Sequence, residues 1–313
     1  MQVTHGTIKP HHGPAGFQCA LTIGNFDGVH LGHRAMLDRL VSKARSLKLP
    51  CSVLTFEPHP REFFAPAAAP ARLSRLREKL ELLAQAGIDR AQVLRFSGAL
   101  AAMSAERFID EVLVAGMGVR WLLVGRDFRF GARRSGDFAL LEASAARQGF
   151  AVEAMPDVEH SGGRISSSGV RAALAAGELE GAARLLGRAY SMSGRVAHGG
   201  KLGRTLGFPT ANIVLRRRPP LAGIFVVTAE LEETHAVLRG VASVGRRPTL
   251  AENAPPLLEV HLFDWKGELY GRHLRVTFLR KLRDEEKYDG LEALRAAIAR
   301  DAAQAKDYFR NHG

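Results

Sequence analysis

The chain has 313 residues, which is enough for two domains. Hydrophobic residues make up 46% and charged residues 24%, so the composition is that of a globular protein and excludes a disordered one. The formal net charge of +12 suits a nucleic acid or a substrate that carries several phosphates, and alone it does not decide between them. No apolar run is long enough for a membrane helix, residues 1–16 lack the pattern of a secretory signal, and two cysteines exclude a disulfide framework. We therefore expect a cytoplasmic protein in which Cys19 and Cys51 are buried free thiols.

Segments typical of strands and helices alternate through the first half of the chain. Apolar or β-rich runs predict strands at residues 17–24, 51–56, 91–96, 120–124 and 151–155. The helical spacing of apolar residues predicts helices at residues 33–47, 74–86, 104–117 and 137–148. This alternation predicts a parallel sheet covered on both faces, in which ligands bind beyond the carboxyl ends of the strands.

After about residue 187 the pattern changes to short β-branched or aromatic runs separated by glycine, proline and charged turns. These runs predict an antiparallel sheet or barrel, with strands at residues 195–197, 224–231, 238–244, 257–263 and 274–280. Residues 168–188 predict two short helices joined near Gly177, and residues 291–309 predict a terminal amphipathic helix. The expected fold class is α/β plus β, with an α/β domain at residues 1–187 and an antiparallel β domain, a sheet or a β-barrel, at residues 188–313.

The segment Thr-Ile-Gly-Asn-Phe-Asp-Gly-Val-His-Leu-Gly-His, residues 22–33, joins the first predicted strand to the first predicted helix. Backbone N–H groups at a helix N-terminus favour anions, and the three glycines of the segment let a phosphate approach the backbone closely. Its histidines, His30 and His33, lie three residues apart and can donate hydrogen bonds to the phosphate oxygens of ATP. Neither of the common phosphate motifs, GxxxxGK(S/T) or GxGxxG, occurs here.

Two alternatives to phosphate binding are open for this segment. A glycine-rich structural turn would need no ligand, and the two histidines would also suit a metal pair. A zinc site would require further histidine or cysteine ligands, and His59 is the obvious candidate for a third ligand. The phosphate-binding hypothesis therefore depends on a second signal.

That signal is the polar segment Arg-Ile-Ser-Ser-Ser-Gly-Val-Arg at residues 164–171, which runs into a predicted helix. Alone, its serines would be helix caps. Together with residues 22–33, the segment resembles the second signature of the HxGH nucleotidyltransferase superfamily. With residues 55–60 and 124–131 added, the set resembles the FMN adenylyltransferase module of bacterial FAD synthetases. The resemblance implies a Rossmann-like domain that transfers an adenylyl group from ATP to FMN.

The resemblance also implies roles for individual residues. His30 and His33 would be the catalytic pair, and His59 would join them on the ATP phosphates. Asp127 would lie beside the substrate phosphates or ribose. The residues that would hold the departing pyrophosphate are Ser166, Ser167 and Arg171. The other residues expected in the ATP- and phosphate-binding loop are Gly24, Phe26, Asp27 and Gly28.

A glycine-rich loop precedes a Pro-Thr-Ala-Asn sequence in the second half of the chain. With Gly200, Lys201 and Arg204, the loop can wrap a polyphosphate through backbone and side-chain donors. Thr210 and Asn212 are two residues apart on an extended segment, so they place two neutral oxygen ligands on one face. Such oxygens, together with phosphate oxygens and waters, suit Mg²⁺. A structural hairpin would not need so many polar and basic residues.

This stretch closely resembles the signatures of riboflavin kinases, and the match continues at residues 240–249, 259–264 and 269–271. In that family the glutamate of the later signature, here Glu259, acts as general base on the flavin 5′-hydroxyl. Asp264 is the rival carboxylate, but five residues further along a strand it would point to the opposite face. The alternative for Glu259 is a surface charge on an edge strand.

Both halves of the chain therefore predict the synthesis of FAD in two steps. ATP would phosphorylate riboflavin to FMN in the barrel, and a second ATP would adenylylate FMN to FAD in the α/β domain. Only the first step would need a protein base, because the phosphate of FMN is already ionised. The expected ligands are riboflavin, FMN, FAD, ATP and Mg²⁺, with no nucleic acid and no membrane; the oligomeric state is left open.

The sequence argues against two further functions. An adenylyl or cytidylyl transferase for another phosphate acceptor would not need the kinase signatures. A basic nucleic-acid-binding protein would need an aromatic strand face or a stripe of lysine and arginine, and the sequence shows neither.

Overall fold

The computed structural model describes residues 1–7, 17–156, 158–160, 163–199, 202–245 and 255–312. They form two compact units. The N-terminal unit comprises Met1–Pro70 and Ser74–Ser166, and the barrel unit comprises Ala71–Leu73 and Ser167–Gly313. The units divide the chain after Ser166, and the domain boundary between residues 187 and 188 stays a prediction.

The N-terminal unit is built on a six-stranded sheet in which every pair of neighbours is parallel. Its strands are β1 (Gln2–Gly6), β2 (Cys19–Ile23), β3 (Cys51–Glu57), β4 (Arg90–Arg95), β5 (Val119–Gly125) and β6 (Ala151–Met155). Their spatial order is β1-β4-β3-β2-β5-β6, so the chain extends from β2 to β3 and β4 on one side and later adds β5 and β6 on the other. Ligands bind in such sheets at the carboxyl ends of the strands where the order reverses, here β2 and β5.

Helices follow most of these strands, as the alternation predicts. They are α1 (Leu31–Ser46), α2 (Pro60–Phe64), α3 (Leu76–Gln85), α4 (Gly98–Ala101), α5 (Ala105–Arg107) and α6 (Phe138–Gln148). A π-helical stretch, Phe108–Val114, continues α5. A two-stranded antiparallel ladder, β7 (Glu159–His160) and β8 (Gly163–Arg164), precedes the end of the unit.

Both cysteines lie in the core of the N-terminal unit, on β2 and β3, and neither forms a disulfide. Burial raises the pKa of the Cys19 thiol to about 12 and that of Cys51 to about 11. Both therefore stay protonated, which confirms the prediction of buried free thiols.

The barrel unit contains a closed six-stranded antiparallel barrel, which confirms the predicted fold class. Its strands are β9 (Ser191–Ala197), β10 (Ala211–Val214), β11 (Gly223–Leu231), β12 (Val237–Gly245), β13 (Leu257–Leu262) and β14 (His273–Arg283). Its helices are α7 (Ser167–Ala176), α8 (Leu179–Leu186), α9 (Leu202–Thr205) and α10 (Leu291–His312). The spatial order β10-β13-β12-β11-β14-β9 closes through the pairing of β9 with β10.

Alternate residues of each strand fill the barrel, so polar residues between them face outward. On β13, Leu258 and Val260 are buried in the barrel core, whereas Glu259 lies on the outer face. Helices α7 and α8 contribute residues such as Val170 and Leu186 to the same core. Helix α10 covers another part of the outer face, where Phe309 packs beside residues of β11 and β12. Among the described helices, none has the length and apolar character that crossing a membrane requires.

Candidate active sites

Three of the predicted segments of the N-terminal unit meet at one edge of its sheet. Residues 24–33 follow β2, residues 58–60 follow β3, and residues 126–131 follow β5. Because the three strands are parallel neighbours, their carboxyl ends lie side by side. The structure therefore brings together segments that are far apart in the sequence.

The two histidines of this edge stack on each other at the start of α1. Their ring centroids lie 3.7 Å apart with an interplanar angle of 16°. His30 caps the helix, since its Nδ1 accepts a hydrogen bond of 3.2 Å from the backbone N–H of His33. The Nδ1 of His33 is itself buried, and within the described residues it has no hydrogen-bond partner. Desolvation, helped by the nearby His30 and Lys79, holds the pKa of His33 well below its ordinary value, so its ring is neutral.

Residues around the histidines shape the loop that carries them. Phe26 is buried, has a φ of 48° and lies with its ring centroid 5.1 Å from that of His33. A Cβ at Gly24 would lie 2.9 Å from the Phe26 ring, so the close packing needs glycine. The N–H of Gly24 donates to the carbonyl of Leu54 at 3.1 Å. Phe26 and Gly24 therefore support His33, and their predicted contact with ATP stays a prediction.

Asp27 and Gly28 bind the loop to Ser74, which lies two residues before α3. The buried Asp27 carboxylate accepts hydrogen bonds from the Ser74 backbone N–H at 3.1 Å and from its hydroxyl at 3.4 Å. The N–H of Gly28, whose φ is 83°, donates to the Ser74 hydroxyl at 3.1 Å. These contacts give both residues a structural part in the loop. Their predicted role in phosphate binding stays a prediction.

Sequence reasoning did not find Lys79, a fully buried lysine of α3. Its Nζ lies 3.3 Å from the Thr55 hydroxyl on β3, and its positive charge acts on His33. A signal was available, because Lys79 occupies the apolar stripe of its helix between Leu76 and Leu83. A lysine is almost never fully buried unless it is paired, so its position in this stripe was a signal that a polar partner lies there.

His59 lies at the same edge, directly after β3. It caps α2, and its Nδ1 accepts a hydrogen bond of 3.1 Å from the N–H of Arg61. Within the described residues, no three histidine, cysteine, aspartate or glutamate side chains lie close enough together to hold a metal ion. The metal alternative for the histidines thus finds no support there.

Asp127, which follows β5, is connected to the second signature. Its Oδ2 accepts a hydrogen bond of 2.8 Å from Arg164, so an ion pair joins the two segments. The next residue, Ile165, has its carbonyl oxygen 3.4 Å from where a Cβ of Gly32 would lie. Ser166 ends the N-terminal unit, while Ser167 and Arg171 lie on α7 of the barrel unit, where Arg171 donates to the carbonyl of Ala71 at 2.6 Å.

In the barrel, strand register places Glu259 opposite Asn212 on β10 and opposite Ser243 on β12. Directly opposed residues of antiparallel strands have Cβ atoms about 5 Å apart. The three side chains therefore form a row on one face, and this juxtaposition was not predictable from spacing alone. Asp264 lies beyond the end of β13 in a turn with a φ of 57°, so it is exposed and not on the strand at all.

Asn212 is buried and oriented by its neighbour. Its Nδ2 donates to the carbonyl of Thr210 at 3.1 Å, which leaves Oδ1 without a hydrogen-bond partner among the described residues. A Cβ at Gly199 would lie 2.5 Å from that Nδ2, so the glycine-rich loop approaches the amide closely. Gly200 and Lys201, like residues 246–249 of the later match, lie outside the described residues.

A cavity of about 360 Å³ adjoins Thr210 and Arg204. Its other walls include Val260, Trp265 and Tyr270, so it combines an apolar and aromatic surface with one cationic side chain. This arrangement suits a flat aromatic base with a charged substituent.

Sequence reasoning also did not find Glu285, which lies two residues beyond β14. Its Oε1 accepts a hydrogen bond of 3.1 Å from the Ser243 hydroxyl. Partial desolvation raises the pKa of the Glu285 carboxyl, and the negative charge of Glu259 adds to the shift. A second carboxylate therefore lies beside the row formed by Asn212, Glu259 and Ser243.

Two family models match successive parts of the chain, FAD synthetase at residues 14–169 and Riboflavin kinase at residues 186–309. The bifunctional riboflavin kinase/FMN adenylyltransferase of Pseudomonas fluorescens is 48% identical over 98% of this chain and 97% of its own length. The protein of the same name from Escherichia coli (strain K12) is 48% identical over 93% of both chains. A solved structure described as a macrolide-efflux protein from Streptococcus pneumoniae is 28% identical, has a TM-score of 0.79, and the match covers 96% of this chain and 97% of that one. The chain belongs to the bifunctional riboflavin kinase/FMN adenylyltransferase family.

Proposed function

We propose that the barrel unit phosphorylates riboflavin to FMN and that the N-terminal unit adenylylates FMN to FAD, each with one ATP. The observation that carries the proposal is the pairing of Glu259 with Asn212, whose buried Oδ1 has no partner within the described residues. A carboxylate can act as the base and an unpartnered amide oxygen can act as a metal ligand, and phosphoryl transfer from ATP to a hydroxyl uses both kinds of group.

In the kinase step, Glu259 accepts the proton of the riboflavin 5′-hydroxyl. The hydroxyl oxygen forms a bond to the γ-phosphorus of ATP while the bond to the bridging oxygen of ADP breaks, so the products are FMN and ADP. Arg204 lines the adjoining cavity, which supports its proposed contact with the polyphosphate, and the same cavity suits the adenine. Gly200 and Lys201 keep the phosphate-binding role predicted from the sequence.

Mg²⁺ fits the donors of this site. Thr210 and Asn212 would hold it through neutral side-chain oxygens. The Oδ1 of Asn212, which has no hydrogen-bond partner among the described residues, is available for such a bond. When bound, Mg²⁺ neutralises charge on the phosphates of ATP. The hydrogen bond from Asn212 to the Thr210 carbonyl orients the amide in advance.

In the adenylyl step, a phosphate oxygen of FMN forms a bond to the α-phosphorus of ATP, and pyrophosphate leaves. His30 and the neutral His33 donate hydrogen bonds to the reacting phosphates, and no protein base is needed. His59 contacts the phosphates from the end of β3, and Asp127 orients the substrate from the end of β5. The predicted pyrophosphate ligands remain Ser166, Ser167 and Arg171.

We also propose that the protein works in the cytoplasm, since two free, protonated thiols suit a reducing compartment. Its proposed ligands are all small molecules: riboflavin, FMN, FAD and ATP.

The test is to incubate the full chain with riboflavin, ATP and Mg²⁺ and to separate the flavins by chromatography. We expect FMN first and then FAD. His33→Ala should slow the conversion of FMN to FAD about 100-fold or more and leave riboflavin phosphorylation intact. Glu259→Ala should slow phosphorylation by about 100-fold or more and leave FMN adenylylation intact.

Asp264→Asn is the matched control for Glu259→Ala, because Asp264 is an exposed carboxylate beyond the same strand and asparagine tolerates its φ of 57°. We expect it to retain both activities. Loss of both activities in a folded His33→Ala or Glu259→Ala protein would contradict the assignment of the two steps to separate sites.

A further inference from the structure

Glu285 is held beside Glu259 by contacts that the proposed kinase chemistry does not use. The residue as a whole is exposed, but its carboxylate lies against the barrel and accepts a hydrogen bond of 3.1 Å from the hydroxyl of Ser243. Ser243 is the cross-strand neighbour of Glu259, so both carboxylates lie at the same row of the barrel. Gly245 leaves room for the Glu285 carboxylate, because a Cβ at position 245 would overlap it.

The segment that carries Glu285 is anchored to α10. Arg283 forms two hydrogen bonds with the buried Asp301, at 2.9 Å through Nε and at 2.6 Å through Nη2. A paired guanidinium and carboxylate of this kind fix the planes of both groups. The residue two positions further on, Glu285, therefore has a defined place rather than that of a freely moving surface side chain.

Placing Glu285 there works against the stability of the fold. Partial desolvation and the like charge of Glu259 both disfavour its ionised form, while the Ser243 hydroxyl and the Arg283 charge oppose this only in part. Groups held at such a cost are concentrated at binding and catalytic sites.

An independent observation points to a ligand at this row. Asn212 lies directly opposite Glu259, is more than nine-tenths buried, and carries an Oδ1 that no described residue contacts through a hydrogen bond. A buried amide oxygen without a partner is rare unless a ligand completes it.

We propose that Glu285 is a substrate-binding residue of the kinase site, whose carboxylate accepts hydrogen bonds from the ribityl hydroxyls of riboflavin. This inference rests on the proposed function, since it takes Glu259 as the base for the terminal hydroxyl. A carboxylate has about four acceptor positions, and Ser243 fills one of them. A polyol chain supplies donors for the others, whereas the triphosphate of ATP would be repelled by two carboxylates. These hydrogen bonds would hold the terminal hydroxyl of the ribityl chain at Glu259.

The experiment compares Glu285→Gln with the unchanged full chain. Binding of riboflavin, and of lumiflavin, which has the same ring system without the ribityl chain, is followed by flavin fluorescence. We expect the Kd of riboflavin to rise about tenfold, because a hydrogen bond to a charged acceptor is replaced by one to a neutral amide. The Kd of lumiflavin should not change. The KM for riboflavin should rise by a similar factor, with kcat altered less than about threefold.

Glu286→Gln is the matched control, since Glu286 is the neighbouring exposed glutamate and its contact with Arg283 is a longer one of 3.6 Å. It should leave both dissociation constants unchanged. An unfolding transition of the barrel unit that is unchanged in Glu285→Gln shows that the variant is folded. Equal weakening of riboflavin and lumiflavin, no weakening of either, or a fall in kcat at constant KM would each overturn the proposal. If the unchanged full chain makes no FMN, that result would instead overturn the proposed function.

Discussion

His33 and His30 are separated by less than one helical turn, yet their surroundings differ. His30 caps α1 through Nδ1, whereas the ring of His33 packs between that of His30, Phe26 and the charge of Lys79. A neutral imidazole in such a place can donate one hydrogen bond to a phosphate without the cost of desolvating a cation. The same desolvation that suits the proposed chemistry should make the stability of the fold around His33 fall at acidic pH.

The first prediction concerns the stability of the N-terminal unit below neutral pH. Because the pKa of His33 is depressed in the folded state, the unfolded chain binds a proton there below about pH 6.5 while the folded chain does not. This group alone should therefore lower the free energy of unfolding by up to about 1.4 kcal/mol for each pH unit below 6.5. His33→Gln should flatten that dependence.

The measurement is urea unfolding at pH 7.5, 6.5 and 5.5, followed by the fluorescence of Trp121 in a Trp265→Phe background. Trp121 is a buried residue of β5 and reports on the N-terminal unit. His5→Gln is the control, since His5 is exposed on β1. An unchanged slope in His33→Gln would mean that this imidazole does not govern the acid sensitivity.

Individual site residues were accessible from the sequence, but their partners were not. The glycine-rich loop and the Pro-Thr-Ala-Asn sequence single out Thr210 and Asn212, and the resemblance to riboflavin kinases singles out Glu259. The pairing of Asn212 with Glu259 depends on the register of two strands more than forty residues apart, which no local pattern encodes. Glu285 could not be found in this way, because it follows a strand in a charged run that is typical of a solvated turn.

At the scale of elements, periodicity located almost every long helix and strand. Strands β1 and β10 are not among the predicted strands. In β1, Gln-Val-Thr-His-Gly has neither an apolar run nor a clear alternation. The pairing of β1 with the sheet explains its structure. It forms because β4 offers a parallel edge, with Gln2 paired to Arg90 and Gly6 paired to Leu94. Its residues remain largely exposed at the edge of the sheet, so tertiary pairing rather than local propensity decides their structure.

Helix α10 is attached to the barrel through a buried carboxylate. Asp301 of this helix is buried and receives two hydrogen bonds from Arg283. Asp301→Ala leaves the partly buried Arg283 without its two hydrogen bonds to this carboxylate, so it should destabilise the barrel unit by about 2 kcal/mol. Asp307→Ala removes the partner of Arg310 on the exposed face of the same helix and should cost less than about 1 kcal/mol.

Calorimetry of the two variants measures this difference as a shift of the unfolding transition. A lower Tm for Asp301→Ala with an unchanged Tm for Asp307→Ala is the expected result. Equal small shifts would show that the Arg283–Asp301 pair does not anchor the segment, and they would also weaken the basis for the placement of Glu285.

For the whole molecule, the open question is where one domain ends. The sequence predicts a boundary between residues 187 and 188, where the helical pattern gives way to strands. Yet the core of the barrel unit includes Val170 and Leu174 of α7, Leu186 of α8, and even Leu73, which is contributed by a short segment from within the first half of the chain. A change of secondary-structure pattern marks a change of fold type, not the limits of a hydrophobic core, and only the tertiary contacts reveal the latter.

The last prediction distinguishes the two boundaries with fragments that start at residue 167 or at residue 188. The shorter fragment lacks α7 and α8 and so exposes the core surface that their apolar side chains cover: Val170, Leu174, Leu179, Ala182 and Leu186. A buried leucine or valine contributes about 1.5–3 kcal/mol, so several lost together approach the whole stability of a domain, about 5–15 kcal/mol. We expect the fragment 167–313 to unfold cooperatively and to phosphorylate riboflavin, and the fragment 188–313 to show no cooperative transition by circular dichroism. Equal Tm values for the two fragments would place the boundary at residue 188, with α7 and α8 attached to a barrel that is stable without them.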